Sequence, residues 1–223
     1  MEGNYLSSVY FEGDGIYKSC NATFNVSIYK KNTQISCNNI NTNAIVVKID
    51  GKSGPYLEVT LKDYEFKNLA NKNIQIKLNS QTYNIVTNKN GIARLQINIA
   101  RAGTYTAIIN FLGDEKYYES SKISKIIVKK KKMSLTVPKK TFKSSKKVKK
   151  LTATLKIYKG KPISGKKLIF KINGKKYSVK TNKKGVVLLK VKFSKKKTYK
   201  FSVSFKGDST YNKIVKKSKF IIR

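Results

Sequence analysis

The chain has 223 residues and a formal net charge of +38, from 49 Lys and Arg against 11 Asp and Glu, with no histidine. A 39% hydrophobic share with only three prolines is the composition of a folded chain rather than a disordered tail. The missing histidine excludes His-based triads, proton shuttles and metal sites, no apolar run reaches transmembrane length, and the N-terminus carries no basic, apolar, small-residue leader pattern.

Residues 4–11 and 22–28 read as two strands joined through Gly13-Asp14. They carry the pattern Y-x5-F-x-G-D-x2-Y as Tyr5, Phe11, Gly13, Asp14 and Tyr17. The same spacing returns as Tyr105, Phe111, Gly113, Asp114 and Tyr117, and again as Tyr199, Phe205, Gly207, Asp208 and Tyr211. Residues 57–129 also fall on 151–223 without a gap at a shift of 94, with about a third of positions identical. The chain is therefore a repeat array, expected as three pieces: 1–30, the closing hairpin of an incomplete unit; 31–130, a complete domain; and 131–223, a second one. A lone hairpin lacks most of its sheet, so it is expected to be exposed or prone to associate with another chain.

After a linker at 30–33, Gln34–Ser36 reads as a short strand, and Ile45, Val47 and Ile49 alternate ahead of the breaker GKSGP. Leu57, Val59 and Leu61, then Ile74, Ile76 and Leu78, have the period of two that marks a strand with one buried face. Tyr83 and Ile85, Ala93 to Ile99, Tyr105 to Phe111 and Ile126 with Val128 complete the first domain. Lys129–Lys132 reads as a solvated, self-repelling linker. In the second domain Met133, Leu135 and Val137 open the series, and Leu151 to Ile157 is expected to pair with Leu168 to Ile172 across the turn of Pro162 and Gly165. Asn173-Gly174 is a strong type I′ hairpin signal, and rows at 187–193, 199–205 and 220–222 follow. About seven short strands per 90 residues predict an all-β chain of tandem immunoglobulin-like antiparallel β-sandwiches, preceded by the β-hairpin remnant of a truncated repeat.

The run GKPISGKKLIFKINGKKYSVKTNKKGVVLLKV, followed by TYKFSVSFKGDSTYN, resembles the Ig-like repeat domains of large bacterial and archaeal surface proteins, especially the adhesin-like proteins of methanogenic archaea. The resemblance covers both complete domains and, through FEGDGIY, the hairpin. It implies non-catalytic stalk repeats at the cell surface, with neighbouring Ig-like repeats as partners.

Candidate sites are few. The Gly-Asp corner supplies too few oxygens for calcium, and Asp208 is the only acid after residue 130, so Gly and Asp are expected to serve the turn itself. Tyr105 and Tyr199 suit a tyrosine corner, while Tyr117, Tyr118 and Tyr211 are alternatives for carbohydrate stacking. Surface Ig-like domains sometimes form a Lys–Asn bond assisted by a buried Glu; Glu58 and Glu65 leave that open in the first domain only. Cys20 and Cys37 are read as structural thiols, with a bridge between them as the alternative. No cofactor is expected, and the scattered carboxylates and lack of a phosphate loop argue against an enzyme.

Charge is the remaining feature. Residues 131–223 hold 32 of the 49 Lys and Arg, so nearly all the excess lies in the second domain. A codon bias toward Lys, Asn and Ile is the alternative to selection for a cationic surface, although drift alone would have left more than one acid in the second domain. Lys167, Lys171, Lys190 and Lys192, with the loop Lys195, Lys196 and Lys197, are the candidate binders of an anionic cell-wall or surface polysaccharide. The alternative is a polyanion-binding module whose target includes nucleic acid, although no specific nucleic-acid motif accompanies the charge.

Overall fold

A computed structural model describes residues 2–223. Its first element is a hairpin, β1 (Gly3–Phe11) with β2 (Cys20–Ile28), paired antiparallel from Gly3 opposite Ile28 to Phe11 opposite Cys20. The two form a sheet of their own.

The first sandwich follows. β3 (Thr33–Cys37), β5 (Tyr56–Asp63) and β8 (Ile92–Gln96) make a three-stranded sheet in the order β3-β5-β8. β4 (Ile40–Asn43), β6 (Asn73–Leu78), β7 (Gln81–Val86), β9 (Gly103–Phe111) and β10 (Ser120–Lys129) make a five-stranded one in the order β4-β10-β9-β6-β7. The alternating residues of β5 (Leu57, Val59, Leu61), β6 (Ile74, Ile76, Leu78) and β9 (Ala107, Ile109, Phe111) are buried, as a period of two requires when one face meets a second sheet.

The second sandwich repeats the plan. β11 (Met133–Thr136), β13 (Lys149–Ile157) and β16 (Val186–Val191) form the smaller sheet. The larger runs β12-β18-β17-β14-β15, from β12 (Lys140–Phe142), β14 (Lys167–Ile172), β15 (Lys175–Lys180), β17 (Thr198–Phe205) and β18 (Ile214–Ile222). Its core is more aromatic: Phe220 lies 4.8 Å from Tyr199, 5.7 Å from Phe193 and 5.9 Å from Phe201, ring centre to ring centre. β12 joins β18 in parallel, Lys140 opposite Phe220 and Phe142 opposite Ile222. The architecture is immunoglobulin-like and all but free of helix.

Four local expectations are corrected. Ile45, Val47 and Ile49 do not form a strand: Val47–Asp50 is a one-turn helix, α1, in which the Asp50 carboxylate accepts the Val46 amide at 2.8 Å and Gly51 closes the turn at φ 69°. β13 does not pair with β14. It pairs with β11 and β16, while β14 pairs with β15 and β17, so the Pro162 connection crosses from one sheet to the other instead of turning back within one. Lys129–Lys132 is not a free linker, because Lys129 ends β10 and the Lys131 amide donates to the Thr210 carbonyl at 2.8 Å. Glu58 and Glu65 are exposed ion-pair partners of Arg94 and Lys31, so neither is the buried acid that Lys–Asn bond formation uses.

By compactness the chain divides into two units: residues up to 40, 56–96 and 105–126, and residues 41–55, 97–104 and 127–223. The second unit thus takes in three segments, 41–55, 97–104 and 127–130, of the span that the repeat period assigns to the first domain. Within it, Lys131 Nζ meets Asp50 Oδ1 at 2.8 Å with both side chains nearly buried, and the Ala102 amide donates to the Ser209 carbonyl at 2.8 Å.

Candidate functional site

The repeated corner has one geometry in all three copies. Gly13, Gly113 and Gly207 lie at φ 84°, 78° and 84°, and a Cβ there would come within 2.9 Å of backbone atoms, which only glycine avoids. The Asp side chain then accepts two backbone amides in an Asx turn: Ile16 and Tyr17 for Asp14, Lys116 and Tyr117 for Asp114, Thr210 and Tyr211 for Asp208. The second carboxylate oxygen of Asp114 meets Lys72 Nζ at 2.5 Å, and that of Asp208 meets Lys166 Nζ at 2.6 Å. The same ammoniums sit 4.7 Å and 5.0 Å from the ring centres of Tyr117 and Tyr211. Burial disfavours charge on Asp114 and Asp208, but the lysine and the backbone amides outweigh it and hold both carboxyls below the usual aspartate value.

Lys72 and Lys166 are the residues that sequence reading passed over. They coincide at the shift of 94, which is the one available signal, and among so many lysines that coincidence carries little weight. The corners of Asp114 and Asp208 also clamp the segments that lead into their sandwiches. Lys31 bridges Tyr117 and Lys131 bridges Tyr211, both in parallel. Tyr211 is buried, which removes it as a stacking platform, and burial, then the charges of Asp208 and Asp50, pushes its hydroxyl pKa up. The Tyr118 hydroxyl is committed to Glu2 at 2.6 Å. The Tyr199 hydroxyl donates to the Lys195 carbonyl at 3.2 Å, four residues upstream, and Lys197 Nζ lies 4.9 Å from the Tyr199 ring centre. Cys20 and Cys37 are both free thiols, and burial raises the Cys37 pKa. Among the described residues no three Cys, Asp or Glu side chains converge as a metal site.

The candidate lysines do not share one face. Lys167 and Lys171 project outward from β14 on the five-stranded sheet, whereas Lys190 belongs to β16 on the opposite sheet, facing Lys150 across the β13–β16 pair, and Lys192 and Lys195–Lys197 follow β16 in the connection to β17. The correction follows from the pairing: alternation shows which residues face outward but not from which sheet. The structure gathers a different set around Lys171. Across four neighbouring strands one row reads Lys176, Lys171, Ser202, Lys217, each directly opposite the next. Lys200 faces Lys219 nearby, and Lys167 faces Lys180. Strands lie about 4.8 Å apart, so these lysines are neighbours on one face with no acid among them. A shallow groove of about 500 Å³ runs over this face, lined by Lys139, Lys171, Lys200, Ser202, Lys217 and Lys219. Like charges directly opposed on a sheet cost about 0.2–1 kcal/mol each, and a bound polyanion would relieve that cost.

No protein-family model matches the chain, and no curated protein matches it closely enough to count as a relative. Solved structures do. Invasin, a bacterial integrin-binding protein, is 17% identical with a TM-score of 0.50, over 86% of this chain and 39% of its own. A bacterial ice-binding adhesin is 13% identical with a TM-score of 0.36, over 100% of this chain and 76% of its own. The chain spans about two fifths of the invasin structure. At such identities the likeness to invasin speaks for the fold alone.

Proposed function

We propose that the chain is a run of non-catalytic Ig-like spacer repeats from an adhesin-like cell-surface protein, the outer face of its second sandwich holding to an anionic surface polymer. The domains are those of the repeat period, 31–130 and 131–223, with the hairpin of 1–30 as the closing part of a further unit. Extracellular placement and the methanogen-type relationship rest on the sequence resemblance. That a similar structure belongs to a bacterial integrin-binding protein is in keeping with a surface role. No helix among the described residues is long and apolar enough to cross a membrane.

The observation that carries the polymer reading is the row Lys176, Lys171, Ser202, Lys217 with its neighbour pair Lys200–Lys219. An exposed sheet face built this way matches a polymer with regularly spaced charges, not a single small anion. Binding of the full chain to an anionic wall polysaccharide and to random-sequence DNA, each across about 50–500 mM salt, tests it. The polysaccharide is expected to bind at least as tightly as DNA, with a steep salt slope that the triple variant Lys171→Glu, Lys200→Glu, Lys217→Glu flattens. Salt-resistant, sequence-selective DNA binding would replace this reading with the nucleic-acid one.

A further inference from the structure

The outer face of the first sandwich carries carboxamides where the second carries lysine, serine and isoleucine. Ile74 and Ile76 are buried in β6, so Gln75 between them faces outward. It stands directly opposite Asn84 on β7 and Asn110 on β9, which makes an amide row three strands wide. A groove of about 310 Å³ runs from this row to the Asp114 corner, walled by Asn73, Gln75, Asn84, Leu112 and the Lys72–Asp114 pair. Its frame is fixed by the backbone: β6 is paired on both sides, and just ahead of it the Asn71 and Lys72 amides donate to the Thr87 carbonyl and hydroxyl at 2.9 Å each. The carboxamides take no part in this. Among the described residues, no protein group hydrogen-bonds the side chains of Asn73, Gln75, Asn84 or Asn110. At the shift of 94 their places are taken by Lys167, Ile169, Ser178 and Ser204, while Lys72, Thr87 and Asp114 return as Lys166, Thr181 and Asp208. The sandwich therefore folds without them.

We infer that this groove is a binding site for an uncharged sugar, held by Gln75, Asn84 and Asn73. The charge balance sets the class of ligand: Asp114 neutralises Lys72, and no other ionised group lines the groove, so a polyanion gains nothing there. Each carboxamide places two N–H donors beside an acceptor oxygen, a pattern that answers neighbouring hydroxyls on a pyranose ring. Leu112, 67% exposed, adds apolar surface for the C–H face of the ring, and a few convergent polar groups beside an apolar wall are what a small-molecule site needs. An extended peptide is the poorer occupant. Sheets capture peptides along an open edge, whereas this groove lies over the face of β6, whose backbone is paired with β7 on one side and β9 on the other. The site is separate from the lysine row of the second sandwich and does not depend on it.

The test titrates the full chain with neutral disaccharides built from glucose, galactose, mannose or N-acetylglucosamine, and follows the side-chain amide signals of Asn73, Gln75 and Asn84 by NMR. At least one disaccharide is expected to shift these signals saturably, and equally at low and high salt, while the backbone signals of the second sandwich stay in place. Gln75→Ile and Asn84→Ser install residues that the second sandwich already carries at these positions, so the fold is kept. Each is expected to weaken binding roughly tenfold, in line with one lost hydrogen bond. If none of the disaccharides gives a saturable shift, the inference is wrong. Affinity that falls steeply with salt overturns the uncharged class of ligand, and undiminished affinity in the double variant places the sugar elsewhere. A larger response to an uncharged tetrapeptide of alternating Ser and Val than to any sugar overturns it as well, since the groove then serves a protein partner.

Discussion

The two sandwiches share a backbone plan and differ in what they show to solvent. Both keep the Asx corner, the lysine that answers its Asp, the clamp by Lys31 or Lys131, and a Thr-Asn turn in which Thr87 or Thr181 bonds a neighbouring carbonyl and Asn88 or Asn182 accepts two amides. The outer row differs. Where the second sandwich has Lys176, Lys171 and Ser202, the first has Thr82, Lys77 and Ile108, and Ile123 stands at the repeat position of Lys217. The second sandwich has a single acid, Asp208, and it is the one on which two amides and an ammonium depend. What the fold needs is common to both sandwiches despite their difference in charge; what the surface meets is not.

The largest test of that comparison lies in the cores. Phe220→Ala removes the ring at the centre of the aromatic cluster and should cost about 3–5 kcal/mol, unfolding the second sandwich while amide protection in the first persists. Next is the shared corner: Asp114→Ala and Asp208→Ala should each cost about 2 kcal/mol in urea denaturation, and a large loss in only one sandwich would break the equivalence drawn here. The corner also predicts a pH signature. Both carboxyls have folded pKa values below the unfolded value of about 3.9, so their contribution is complete above that pH and fades as pH falls through the lower folded value. Asp208→Asn should flatten this acid limb for the second sandwich only.

Charge is the third lever. Raising salt from about 20 to 500 mM should stabilise the second sandwich by about 1 kcal/mol by screening the opposed lysines, with little change in the first. Lys200→Glu, which places an acid opposite Lys219, should gain about 0.5 kcal/mol and reduce that salt response in part, since Lys171–Lys176, Lys167–Lys180 and Lys150–Lys190 stay opposed. The smallest effect concerns the hairpin turns. Asn173-Gly174 has φ 46° and 78°, and the corresponding Asn79-Ser80 has 51° and 59°; Ser80→Gly relieves left-handed strain but frees the unfolded chain, so it should stabilise the first sandwich by only about 0.3 kcal/mol, seen as a small shift of its melting midpoint.

Much of this was legible in the sequence because strands with one dry face must alternate and turns with positive φ must recruit Gly or Asn. Leu57-Val59-Leu61 and Asn173-Gly174 are examples, and the repeat gave each strand a second witness. Ile40–Asn43 and Lys140–Phe142 were illegible: they are edge strands of four and three residues, too short for a period to register. The apolar alternation at 45–49 misled because Asp50 folds the segment back onto its own amide, a contact that hydrophobic period does not encode. The pairing of β13 was missed because chain order suggests a hairpin wherever a turn lies between two strands, and the Pro162 turn changes sheets. Lys72 and Lys166 were hidden by abundance, and the lysine row of the second sandwich becomes visible only once strands from four places in the chain lie side by side.

One detail of pairing bears on how such a module behaves under load. β12 near the start of the second sandwich and β18 at its end run parallel and adjacent. Pulling the two ends of the module apart therefore drags these strands past each other, straining their hydrogen bonds together in shear, rather than peeling them off one at a time. Rupture then requires several bonds to fail at once, so resistance to extension is built into the sheet order itself, independent of anything the surface binds.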